Sequence, residues 1–272
     1  SIQTNTIATS IYHSYHINKY VIAILITFIS GIVIFKNIKD LIKMISSFVP
    51  IMCIIYIFIG IIIIIYNKDQ LPNVFYRIFD AAFNFKSFIS GFLTSLIIGI
   101  QRGIFSNEAG IGTGAIASAT SDTKNYINQG YIQILGVYFT SLVICSISAF
   151  LILLSPYQTL HFENVNGIEI SLYALRYHLG SFGEFFLILS ILLFAFSTIV
   201  AGYYYGESSL RFIDKKVSKA KLIVFKIITL FILFIGAIIK PGILWNMSDF
   251  IIGLLAIINI YSILKLYKKK KI

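Results

Sequence analysis

Seven stretches of the chain are apolar for long enough to cross a bilayer, which takes a helix of about 20 predominantly apolar residues. They run 18–35, 46–66, 88–120, 127–154, 184–210, 220–239 and 243–266, and residues 1–11 read as the tail of an eighth span. Little of the 272-residue chain is left over. Charged residues make up only 12% of it, against about 25% in an ordinary soluble domain. The fold class expected is therefore an all-α polytopic membrane protein.

The polar segments between the spans set an orientation. Alternating the spans puts 36–45, 121–126, 211–221, Lys226 and the C-terminus on one side, with fifteen of the 22 basic residues. The other side holds Lys19, Lys68, Arg77, Lys86, Arg176 and Lys240, and Arg102 falls within the membrane. The positive-inside rule makes the first side cytoplasmic, so a multi-pass protein of the cell membrane with a cytoplasmic C-terminus is expected. The net charge of +11 is explained by this topology and implies no nucleic acid. The connections 67–87 and 155–183 are longer, and ISLYALRYHLG at 170–180 suits a short surface helix.

Several function classes find no support. There is no GxxxxGK[ST] nucleotide loop and no nucleophilic triad, so neither an ATP-driven pump nor an enzyme is indicated. His13, His16, His161 and His178 all fall in non-cytoplasmic connections; His13 and His16, spaced i, i+3, have two readings, metal ligands or surface residues, and the second is adopted. Cys53 and Cys145 lie in apolar runs without metal-ligand spacing and read as buried small hydrophobes. No cofactor is expected.

One span is unlike the rest. In QRGIFSNEAGIGTGAIASATSD, residues 101–122, an arginine, a glutamate, an asparagine and four glycines sit between apolar runs. Each glycine weakens a helix by about 1 kcal/mol relative to alanine. Gly103, Gly110, Gly112 and Gly114 together predict an unwound segment near Asn107 to Gly112. Non-helical backbone is tolerated at membrane depth only where protein buries it or it lines a cavity, and secondary transporters build midplane sites this way. Glu108 has two readings: it touches a ligand, as intramembrane carboxylates do by default, or it braces the break by pairing with Arg102. For Gly110 and Gly112 the alternative is tight helix packing.

RGIFSNEAGIGTGAIASA resembles the signature of the alanine or glycine:cation symporters, close to RGxFSNEAGxGSAPIAHAAA. Three further stretches agree in order: IQTNTIA at 2–8, FAFSTIVAGYYYGE at 194–207 and ILWNMSDFIIGLLAIINIYSILKL at 243–266. The resemblance implies a leucine-transporter-type fold, with ten core helices in two inverted five-helix repeats whose first and sixth helices are broken. On that map the chain is a single transporter domain over 1–272, running from the end of the third core helix to the tenth. The second repeat falls at about 88–266, and the first core helices are missing. The interrupted span becomes the sixth helix and 184–210 the eighth.

The resemblance also implies roles. Phe105, Asn107, Glu108, Ala109 and Gly110 would line an amino-acid pocket, approached from the third helix by Gln3, with Asn5 near it. Ser197 and Thr198 would supply hydroxyls for sodium, Thr198 touching substrate as well; on its own, a Ser-Thr pair in a helix usually bonds back to the preceding turn. Gly202 replaces a family tryptophan, which either opens space for a larger side chain or weakens closure. Thr113, Gly114, Ala115 and Ser118 depart from the family's serine, alanine, proline and histidine. Ile257 to Ile260 lack its proline, while Asp249 keeps its acidic residue.

The function implied is sodium-coupled symport of small neutral amino acids, alanine or glycine, by alternating access. The partners are the amino acid, Na⁺ as coupling ion and the lipid bilayer; oligomeric state is left open. The alternatives are a non-functional fragment or split-gene half of such a carrier, and a channel filtered by the NEAG segment.

Overall fold

The computed structural model of the chain describes residues 1–36, 38–83, 85–121, 123, 125–160 and 167–270, without the side chains of 38–46, 85–90, 269 and 270. His161, Lys124 and Lys271, and the side chains of Lys39, Lys43, Lys86, Lys269 and Lys270 in the topology count, lie outside the described residues. No strand occurs among the described residues, and five helices are long and apolar enough to cross a membrane. The chain is an all-helical, polytopic membrane protein. Two compact units divide it: Ser1–Ile63 with Leu151–Trp245, and Ile64–Phe150 with Asn246–Ile272.

The first unit begins with α1 (Ile2–Tyr15) and α2 (Lys19–Phe35). His16 closes α1 in the left-handed region, its N–H reaching Tyr12 O. The Asn18 side chain accepts from the Tyr20 N–H to open α2. α3 (Ile38–Tyr66) starts within the segment read as a connection over 36–45. Ile38, Leu41, Ile42 and Ile45 are spaced as one helical face, and this period outweighs the lysines between them. The unit also holds α9 (Gly167–Leu179), α10 (Ser181–Ile213) and α11 (Lys219–Ile238). α9 falls where a short surface helix was expected, but it buries Leu172, Ala174 and Leu175.

The core of this unit joins α1, α2, α10 and α11 through Ile7, Ala8, Ile22, Ala23, Ile26, Ala195, Ile199, Tyr203, Leu233 and Ala237. Its small residues let helix backbones approach closely, as in membrane helix pairs. Two hydroxyls buried in this unit bond back within their own helices: Ser10 donates to Thr6 O at 2.7 Å and Ser190 to Phe186 O at 2.8 Å; those of Thr9 and Ser30 find no partner among the described residues. Asn5, 6% exposed, donates to Gly236 O at 3.0 Å and Ile239 O at 2.8 Å. These are carbonyls at the end of α11 that no intrahelical N–H can reach.

The second unit contains α4 (Leu71–Phe83), α5 (Phe85–Asn107), α6 (Thr113–Ser118), α7 (Tyr126–Tyr138), α8 (Cys145–Leu153) and most of α12 (Pro241–Lys270). A π-helical turn, Phe139–Ile144, joins α7 to α8 within one continuous span, Tyr126–Leu153. The interrupted span is α5, a break, and α6, with the break where the glycines predict it. Cys145 is exposed rather than buried, and its thiol lies 3.7 Å from the Ser106 hydroxyl.

Candidate functional site

α5 ends at Asn107 and α6 resumes at Thr113. Between them Glu108 has φ 54°, Gly110 φ 81° and Gly112 φ 92°. For glycine such angles cost little. For Glu108 the left-handed region costs roughly 1–2 kcal/mol. A strained non-glycine residue of this kind persists where the surroundings hold it, and such residues cluster at functional sites.

Two asparagines hold the break. Asn107 accepts the Ala109 N–H on Oδ1 at 3.0 Å, and its Nδ2 donates to Ser141 Oγ at 3.1 Å in the π turn. Asn259 of α12 donates from Nδ2 to Gly110 O at 2.9 Å. A Cβ at Gly112 would lie 3.2 Å from Asn259 Oδ1, which would have to give by a few tenths of an ångström, and the φ of 92° favours glycine there in any case. The peptides 108–109 and 110–111 are thus each pinned by a side-chain amide. The alternate peptides are not: among the described residues the carbonyl of Ala109 and N–H of Gly110, and the carbonyl of Ile111 and N–H of Gly112, make no hydrogen bond. The Thr113 hydroxyl is enclosed and likewise unpartnered among those residues. So is the half-buried carboxylate of Glu108.

Arg102 does not pair with Glu108. It donates through Nη2 to both carboxylate oxygens of Asp249 on α12. Six residues separate Arg102 and Glu108, and α5 stays helical through Asn107, so the two side chains emerge on different faces. α12 therefore meets the interrupted span twice, at Asp249 before the break and at Asn259 within it.

The other residues singled out in the sequence lie in the first unit. Gln3 is half-buried on α1, and its amide makes no hydrogen bond among the described residues. Asn5, expected near the pocket, instead spends its amide on the end of α11. Ser197 and Thr198 both donate to Phe194 O, at 2.7 and 3.0 Å, which is the back-bonding such a pair usually shows. The donated proton leaves oxygen lone pairs available to a cation. At Gly202 a Cβ would meet nothing within 4 Å. Five residues on, Glu207 accepts from Tyr203 Oη at 2.5 Å and from Arg211 Nε at 2.8 Å.

His13 and His16 are exposed, and no cluster of metal-ligating side chains occurs among the described residues. His178 is half-buried: its Nε2 lies 2.9 Å from Leu151 O, and burial pulls its pKa below the ordinary value, partly offset by that hydrogen bond.

Asn259 and Ser141 were not singled out in the sequence. The signal for Asn259 was available, as an amide in the middle of the apolar run IIGLLAIINIYSILKL. Ser141 gave none, since a hydroxyl in a helix ordinarily bonds back to its own turn.

Comparison with known proteins agrees with this arrangement. Residues 1–271 match the model of the sodium:alanine symporter family. The chain is 36% identical to the amino-acid carrier protein AlsT of Bacillus subtilis (strain 168), over 97% of this chain and 56% of the relative. It is 35% identical to the probable sodium/glutamine symporter GlnT of the same organism, over 98% of this chain and 55% of the relative. Identity to the sodium/proton-dependent alanine carrier protein of Bacillus sp. (strain PS3) is 30%, over 98% and 63%. The chain spans little more than half the length of these curated relatives. With residues 1–271 matched by the family model, the chain belongs to the sodium:alanine symporter family.

Proposed function

We propose that the chain is the site-bearing part of a sodium-coupled carrier of small neutral amino acids, alanine or glycine, working by alternating access in the cell membrane. The observation that carries this reading is the break at 108–112 in an apolar span, with two whole peptide groups left without hydrogen bonds. These groups belong to exposed Ala109 and Gly110 and half-buried Ile111 and Gly112, so they are open to a ligand. Free carbonyls suit an ammonium group or Na⁺, and free N–H groups suit a carboxylate. Phe105, Asn107, Glu108, Ala109 and Gly110 are residues proposed to meet the substrate, and Gln3, Thr198 and Gly202 are proposed for the same role. Ser197 and Thr198 are proposed to coordinate sodium, which the free lone pairs of their hydroxyls support. The leucine-transporter-type inverted repeat, with its second copy at about 88–266 in a single domain, and the cytoplasmic C-terminus belong to the same proposal.

Substrate and ion bound together offset each other's charge, so neither binds well alone and the sodium gradient drives uptake. The open space at Gly202 favours a pocket that also admits a longer side chain, and the relative named as a probable sodium/glutamine symporter makes glutamine the competitor to test. The experiment is labelled-alanine and labelled-glutamine uptake by the full-length protein in proteoliposomes, with Na⁺, H⁺ or no gradient imposed. Sodium-driven alanine uptake is expected. Uptake that is absent or indifferent to the sodium gradient overturns the reading.

A further inference from the structure

We infer that Asn259 of α12 is a positioning residue: by pinning the Gly110–Ile111 peptide, it holds the peptides on either side in the orientation that receives the amino acid. The inference rests on the transport reading above and adds to it a residue that none of the expected roles includes.

The geometry is an alternation along the backbone. Peptide 108–109 is fixed through its N–H by Asn107, and peptide 110–111 through its carbonyl by Asn259. Peptides 109–110 and 111–112 carry no hydrogen bond at either end among the described residues. Peptides are planar and rigid, so the only soft variables are the φ and ψ angles between them. Gly110 and Gly112 are among the residues supplying those angles, and glycine is the residue least able to hold them by its own sterics. Without a tether, peptide 110–111 turns about the Gly110 bonds and carries peptide 111–112 with it.

Asn259 supplies that tether from another helix. Its Nδ2 holds the Gly110 carbonyl at 2.9 Å, while its Oδ1 stands where a Gly112 Cβ would come within 3.2 Å, bounding the far side of the break. One amide thus restrains both glycines. α12 is itself anchored beside α5 by the Arg102–Asp249 pair, so the tether comes from a fixed point. The free peptides then present a carbonyl and an N–H at set positions. This is the pair of poles a zwitterion needs, an acceptor for the ammonium group and a donor for the carboxylate.

The test compares Asn259→Ala, Asn259→Asp and Asn259→Gln in the full-length carrier, by alanine uptake in proteoliposomes. Asp has the shape of Asn but, ionised, no N–H to donate; Gln keeps the donor on a longer arm. Loss of the bond is expected to raise the alanine KM about tenfold in Asn259→Ala and Asn259→Asp, the worth of about one hydrogen bond, with maximal rate within about twofold. Asn259→Gln recovers part of the loss. A wild-type KM in Asn259→Asp, or equal falls in maximal rate across all three variants, overturns the positioning role.

Amide hydrogen exchange of a peptide covering 105–115 separates this inference from the transport reading. Exchange is expected to quicken severalfold in Asn259→Ala and to stay unchanged in peptides from α10, whether or not the protein moves alanine. Unchanged exchange over 105–115 overturns the inference. Quickened exchange in a protein without sodium-driven uptake upholds the tether and overturns the transport reading alone.

Discussion

Arg102 donates to both carboxylate oxygens of Asp249, which ties the helix leading into the break to the last helix of the chain. The pair is neither exposed nor sealed, with side chains 34% and 18% exposed. Arg102→Gln or Asp249→Asn is expected to cost roughly 2–3 kcal/mol of stability in detergent, between the ~1 of an exposed pair and the 3–5 of a buried one. The exchange Arg102→Asp with Asp249→Arg recovers a good part of that loss. Thermal unfolding of the wild type, Arg102→Asp, Asp249→Arg and the double exchange decides it: strictly additive losses in the double variant show that the two charges do not act as a pair.

Glu108 is expected to separate stability from transport. Glu108→Gly removes a side chain from the left-handed region, so the melting temperature holds or rises, by up to about 1 kcal/mol in stability. Uptake nonetheless falls, as it does in Glu108→Gln. Normal uptake in both variants makes the carboxylate a bystander.

Gly112→Ala meets two obstacles, a φ of 92° and the Asn259 amide at 3.2 Å. A destabilisation of about 1–3 kcal/mol is expected from the backbone alone. Adding Asn259→Ala removes the contact but not the φ, so the double variant should regain only part of the loss. Complete recovery shows that crowding, not conformation, sets the glycine requirement.

In the first unit, Asn5→Ala takes the donor away from two carbonyls at the end of α11. The expected loss is about 1–3 kcal/mol for leaving buried acceptors unmet. Substrate affinity of the folded carrier should not change. A raised KM at unchanged stability returns Asn5 to the pocket, where the sequence first suggested it.

His178 gives a pH dependence with a definite sign. Its pKa is lowered in the fold, mainly by burial, so the folded state takes up a proton less readily than the unfolded chain, whose histidine titrates near about 6.5. Stability is therefore unaffected well above that pH and declines as pH falls through it, because only the unfolded state gains the proton. Melting curves from pH 8 to pH 5 should show the decline in the wild type and a shallower one in His178→Gln. Parallel curves exclude His178 as the cause.

The spans were legible because hydropathy is a local property and lipid allows few alternatives: 184–210 became Ser181–Ile213 and 220–239 became Lys219–Ile238. The break was legible for a similar reason, since glycines and a polar run cannot stay helical as readily as isoleucine does. What the sequence withheld was partnership across distance. Nothing near Arg102 in sequence distinguishes Asp249 from Glu108 as its counter-ion; only the side-by-side placement of α5 and α12 does. Asn5 was read with its neighbour Gln3, although its two acceptors lie more than 230 positions away. The start of α3 at Ile38 was missed because the lysines were weighed as charges and not as the polar face of a helix.

The π turn at Phe139–Ile144 imposes a condition of phase. A wide turn takes up an additional residue, so α7 and α8 are out of step with any single helix drawn through both. Deleting one residue there would close the turn to ordinary winding while α7 and α8 keep their course on either side. What would be lost is the wide turn itself, and with it the placement of the Ser141 hydroxyl against Asn107. This span can accept many apolar substitutions, but losing one residue here would take away that support of the break.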